Sequence, residues 1–83
     1  MKLEEVERRI QAIERDLRYC EDLLDREARM EFAKLILEEL SGEVRKLLPK
    51  NIPEALRGRL SSIELRIRIL YHRANALLSL QEE

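Results

Sequence analysis

Tryptophan is absent from the chain, cysteine occurs once, glycine and proline twice each, and only Tyr19, Phe32 and Tyr71 are aromatic. A single cysteine, Cys20, excludes an internal disulfide and fits a reducing compartment such as a natural or recombinant cytoplasm. One Cys and one His supply too few nitrogen and sulfur ligands for a structural zinc site. Gly42 and Gly58 stand alone, so there is no glycine-rich loop to cradle a phosphate. Strictly aliphatic runs such as Leu35-Ile36-Leu37 fall far short of the roughly 20 residues that span a bilayer. Glu, Arg and Asp stud the first turns of sequence, which therefore do not read as a secretory signal. An excess of one charge is missing too. With 16 basic and 17 acidic residues the net charge is −1, and no global field draws the chain to nucleic acid or to an acidic membrane. The expectation is a soluble protein with no targeting signal, no nucleic-acid partner and no membrane partner.

What is present is the composition of long helices. The 83 residues are 40% charged and 45% hydrophobic, with Leu, Glu and Arg prominent and few breakers. That length makes one domain, 1–83, whose core stabilises it by only about 3–5 kcal/mol. Apolar residues recur three and four apart in three runs. The first is Leu3, Val6, Ile10, Ile13, Leu17, Cys20 and Leu24; the second is Met30, Ala33, Leu37, Leu40, Val44 and Leu47. The third is Leu56, Leu60, Ile63, Ile67, Leu70, Ala74 and Leu77. Such spacing lines one face of a helix.

The run Leu48-Pro49-Lys50-Asn51-Ile52-Pro53 breaks the second helix from the third, because Pro49 cannot continue a helix and Pro53 suits a first turn. Arg45 and Lys46 before it, and Glu54 after it, complement the helix dipoles. The other boundary is open. The heptad slips by one place within residues 25–29, where Asp25 could cap a new helix, yet no Gly or Pro marks a turn. Ser41-Gly42 is a second possible stop.

Two all-α architectures follow. Helices of about 3–24, 27–48 and 53–81 form a three-helix up-down-up bundle, or a helix of about 3–48 folds back once as a hairpin completed by dimerisation. Charge favours the first. Glu7, Glu14 and Glu21 share heptad position e of the first run, and Arg59, Arg66 and Arg73 share position g of the third. In parallel neighbouring helices g faces e, so these two helices are expected side by side and parallel.

Side chains able to carry chemistry are sparse. His72 has no oxyanion hole or strained nucleophile turn to work with. Cys20 sits at a core position beside Glu21 and Asp22, where a buried hydrophobe is expected rather than a reactive thiolate. No Glu-x-x-His pair signals a di-iron bundle. The arginines of the last helix, Arg57, Arg59, Arg66, Arg68 and Arg73, face a matching acidic row in the same chain. No catalytic residue, metal ligand or cofactor is therefore expected, and the chain reads as a non-enzyme.

Excess apolar surface is what remains. Leu65, Ile69, His72 and Ala76 form a second stripe on the last helix, away from its core face. In the middle helix Phe32, Leu35 and Ile36 extend apolar character round nearly the whole circumference, as in a helix buried on all sides. These seven residues are the expected interface, by which the bundle self-associates as a homo-oligomer or meets a protein partner. The alternative is a small-molecule or cofactor binder, or an engineered catalyst of that kind, with a cavity near Tyr71, His72 or Cys20.

In outline the chain is similar to the all-helical chorismate mutases, but Glu7 and Leu24 stand where that family's substrate-binding arginines belong. Ile13 through Leu24 resembles a BH3 helix in spacing, with Leu17 and Asp22 in place and Glu21 where a small residue is needed. Over its whole length the chain resembles a computationally designed bundle, in its unbroken heptads, complementary charge rows and short connections. Cys20, His72, Gly58 and Ser61-Ser62 depart from that style.

Overall fold

The computed structural model describes residues 2–81, and Met1, Glu82 and Glu83, the ends of the domain expected over 1–83, lie outside them. Three helices follow in order: α1 (Leu3–Asp25), α2 (Met30–Leu47) and α3 (Glu54–Gln81). They form an elongated bundle of 47 × 17 × 16 Å. Residue pairs across the grooves give the directions. Arg9 and Ile13 in the first half of α1 line a groove with Glu43 and Leu47 at the end of α2, while Cys20 near the end of α1 meets Ala33 near the start of α2, so these two run antiparallel. Ser41 and Arg45 in the later part of α2 line another with Glu64 and Arg68 of α3, while Glu31 and Leu35 near its start line a third with Asn75 and Ser79, again antiparallel. The topology is up-down-up, and a continuous helix over 3–48 does not form.

Three ion pairs set α1 and α3 parallel and in register. Arg59 meets Glu14 at 2.5 Å, Arg66 meets Glu21 at 2.7 Å, and Arg73 meets Asp25 at 2.8 Å. The first two pairs share one sequence offset, as a repeating g-to-e contact requires. That offset places Glu7 level with Ile52 in the loop, so no arginine of the row reaches Glu7. It also places Arg73 level with Ala28, beyond the end of α1, and Arg73 takes the last acid of the helix instead. Asp25 is thus the last residue of α1 and a partner of α3, not the cap of α2. The hydrogen bond to Glu14, assisted by the charge of Glu7, holds the Arg59 guanidinium above its ordinary pKa. Exposed pairs of this kind each contribute less than about 1 kcal/mol, and their repetition selects direction more than stability.

The turn between α1 and α2 closes without a glycine or proline to mark it in the sequence. Ala28 N–H donates to Leu23 O at 2.9 Å and Glu27 N–H to Leu24 O at 3.1 Å. Together they make a Schellman closure, which needs a left-handed residue between the two donors. Glycine normally fills that place, but here Glu27 does, at φ 51°. Arg29, immediately before α2, is left-handed as well, at φ 50°. α2 therefore starts at Met30, three residues later than the sequence pattern suggests. Ser41 and Gly42 lie inside α2 and stop nothing.

At the other turn, Pro49 follows the end of α2 and Pro53 immediately precedes α3, accepting the first helical hydrogen bond from Arg57 N–H at 3.0 Å. The Arg57 side chain folds back over this loop. It donates to Leu48 O at 2.7 Å, the C-cap carbonyl that the end of α2 leaves without a helical donor, and to Lys50 O at 2.8 Å in the loop.

The core is the heptad seam. Every residue of the three apolar runs is buried except Leu3 at the bundle's end and Leu77, which is half-buried. Leu23 joins the core beside Leu24, where the Schellman turn folds over it. No polar side chain is buried among the described residues.

Candidate interaction surface

Among the described residues no three His, Cys, Asp or Glu side chains converge in a geometry that holds a metal ion, and no helix is long and apolar enough to cross a membrane. Cys20 is fully buried where α1 crosses α2, with its Sγ 3.7 Å from the Ala33 carbonyl. Burial, with a smaller push from the Asp16 charge, raises its thiol from 9.0 to about 11. The neutral thiol is the form the core accepts, so this residue's contribution to stability is complete below about pH 9 and is lost as pH rises through about 11. Two results are expected. An aromatic disulfide reagent at neutral pH should label Cys20 in the folded protein at least about a hundredfold more slowly than in denaturant. Between pH 9 and 11 the urea midpoint should fall further in wild type than in Cys20→Ala.

The grooves between helices are shallow and open. One of them, about 470 Å3, runs between α2 and α3. Leu37 and Ile67 line its floor, and Glu38, Arg45, Glu64, Arg68 and Tyr71 line its sides. Tyr71 Oη donates to Glu38 Oε1 at 2.8 Å, which raises the tyrosine pKa, and Lys34 Nζ stands 5.4 Å from the ring centroid. Of the residues proposed to surround a ligand cavity, Tyr71 alone reaches this groove. His72 is exposed on the outside of α3, and Cys20 is sealed in the core.

The seven expected interface residues fall on two separate surfaces. Leu65 and Ile69 of α3 are 53% and 57% exposed, and His72 and Ala76 continue their line in the open. All four lie opposite the α3 core residues Ile63, Ile67, Leu70 and Ala74. On α2, Leu35 is 59% exposed at the rim of a groove it shares with Asn75 and Leu78. Ile36 is half-buried against the core and shares its heptad position with Glu43, which lines the groove toward α1. Phe32 is 39% exposed, and the Arg29 guanidinium covers its ring at 4.3 Å. The row Lys34, Glu38, Tyr71 and Asn75 separates the α2 residues from the α3 stripe. α2 is therefore not buried all round. Its apparent surplus divides into a core face, a flank tucked toward α1, a ring under a guanidinium and one exposed leucine.

The α3 stripe is different in kind. Its exposed line runs Gly58, Ser61, Leu65, Ile69, His72 and Ala76, three and four apart, without an Asp, Glu, Lys or Arg. The outer face of α1 carries Arg8, Arg15 and Asp22, and that of α2 carries Glu39 and Lys46. α1 and α2 are strongly amphipathic, whereas α3 is only weakly so, because it has apolar residues on two opposite faces. Spacing marks the stripe in the sequence, and the absence of charge from Gly58 to Ala76 along it is a second sequence signal of the same face.

No family model, curated protein or solved structure matches the chain.

Proposed function

We propose that the protein is a non-enzymatic interaction bundle, which uses the inner face of α3 to fold and offers the outer face for burial against another polypeptide. The observation that carries this is the uncharged exposed line on α3, centred on Leu65 and Ile69, in a chain that is 40% charged. Isolated exposed leucines are ordinary on protein surfaces; a continuous apolar stripe is characteristic of contact sites. Nothing in the fold requires it, since Ile63, Ile67, Leu70 and Ala74 already supply the core contacts of that part of α3.

The test is Leu65→Glu with Ile69→Glu, followed by light scattering over a concentration series and by circular dichroism. Wild type should gain mass as concentration rises, and the double variant should remain at the mass of one chain with unchanged helicity. Equal masses for the two proteins at every concentration would contradict self-association through this face. Loss of helicity in the variant would mean that the two residues are needed for the fold.

The groove beside Tyr71 supports a second reading, a binder of small polar molecules, because it is the place where an aromatic ring, two acids and two arginines meet above an apolar floor. Chemical-shift changes confined to Tyr71, Glu38 and Arg68 in a ligand screen would favour it, and a screen without such changes counts against it.

A further inference from the structure

We propose that the polypeptide covering α3 is α3 of a second copy, lying antiparallel across a two-fold axis near Ile67, an inference that rests on the interaction reading above. Charge comes first. Of the three outer helix faces, only that of α3 can meet its own image without removing an Asp, Glu, Lys or Arg from water.

Size and spacing give the register. Gly58 and Ala76 are small and stand at the ends of the stripe, while Leu65 and Ile69 are large and stand near its middle. Antiparallel pairing about Ile67 sets Leu65 of one copy on Ile69 of the other, and Gly58 on Ala76. The bulky residues then pack at the centre, and the small ends let the two backbones close.

The flanks give the direction. Glu64 and Arg68 lie one turn apart on the α2 side of the stripe, and among the described residues neither is in an ion pair. On the α1 side, Arg59, Arg66 and Arg73 are already matched to acids of α1. Antiparallel helices face like flank to like flank, so each Glu64 lies on the flank of Arg68 of the other copy, two residues or about 3 Å along the axis from level, twice by symmetry. A parallel pair would instead set Arg68 against the flank of Arg66 and Arg73. The contact is small beside the 20–30 residues a side of a standard interface. It belongs to the weak class that buries less than about 1,200 Å2.

Two measurements test this geometry. A Cβ at Gly58 meets nothing within 4 Å, so Gly58→Cys is tolerated by the fold, and buried Cys20 does not compete for oxidation. Mild oxidation of an equimolar mixture of Gly58→Cys and Ala76→Cys, one of them isotope-labelled, should give mainly the mixed disulfide, about fivefold or more over either homodisulfide. Single reversals Glu64→Arg or Arg68→Glu should weaken association about fivefold, and the double swap should restore it. Dominant homodisulfides, or a double swap no better than the single reversals, would overturn the antiparallel pairing and leave self-association intact. A wild-type mass of one chain at every concentration, with no disulfide in any mixture, would overturn both.

Discussion

Leu37→Ala is expected to destabilise the protein by about 3 kcal/mol, and Leu35→Ala, two residues away on the same helix, by no more than about 0.5 kcal/mol. Leu37 is fully buried between the three helices, whereas Leu35 is 59% exposed. Truncating the first removes its apolar burial and leaves a cavity that rigid neighbours on α1 and α3 fill only in part. A loss of that size approaches the whole stability of a core this small, about 3–5 kcal/mol. The melting temperature should fall by roughly 12 °C or more, so that much of the variant unfolds near physiological temperature. Thermal melts followed by circular dichroism measure both variants directly. A comparable loss in the two would mean that the helical phase of α2 is wrong. The contrast therefore tests the heptad slip at residues 25–29 as well as the core.

Glu27→Gly combined with Gly42→Ala should raise stability by about 2 kcal/mol, or roughly 8–16 °C in melting temperature. The chain keeps its glycines in helices and a glutamate where a glycine belongs. Glu27 holds φ 51° at the Schellman turn, a conformation that costs a residue with a Cβ about 1 kcal/mol or more and costs glycine nothing. Glycine there also gains freedom in the unfolded chain, which offsets part of the benefit. Gly42 lies within α2 at right-handed helical angles, and a Cβ there finds open space. Alanine at that position contributes about 1 kcal/mol of helix propensity with no steric cost. The two sites lie far apart along the chain and share no contact, so their effects should add. Urea melts of the two single variants and the double would show it. A double variant no more stable than wild type would mean that the turn between α1 and α2 does not adopt the left-handed closure.

Most of the core was legible because period and burial obey one rule. Val6, Ile10, Ile13, Leu17, Cys20 and Leu24, and the corresponding runs on α2 and α3, are buried where heptad spacing puts them. The parallel neighbourhood of α1 and α3 was legible from two rows of charge, although the offset that leaves Glu7 without an arginine could be seen only in three dimensions. The first turn was not legible. A Schellman closure is announced in sequence by glycine, and a glutamate forced into the same dihedral gives no sign of itself. Arg57 was counted with the basic face of α3, because nothing in its spacing reports that it reaches back to the Leu48 and Lys50 carbonyls.

On α2, composition misled. A helix with apolar residues around most of its girth suggested burial on every side, but the ring of Phe32 is satisfied by Arg29 and Ile36 turns toward α1. On α3 the same argument led to residues the fold leaves in water. The difference lies in the neighbours: α2 mixes its surplus apolar residues with Glu31, Lys34, Glu38 and Glu39, while the outer line of α3 is free of charge from Gly58 to Ala76.

That line can be examined residue by residue. In a dilution series of amide nitrogen–proton spectra, wild type is expected to show concentration-dependent shifts at Leu65, Ile69, His72 and Ala76, with Arg8, Arg15 and Tyr19 on the outside of α1 unmoved. Spectra that superpose at every concentration would contradict an α3 surface made for a second copy of this chain.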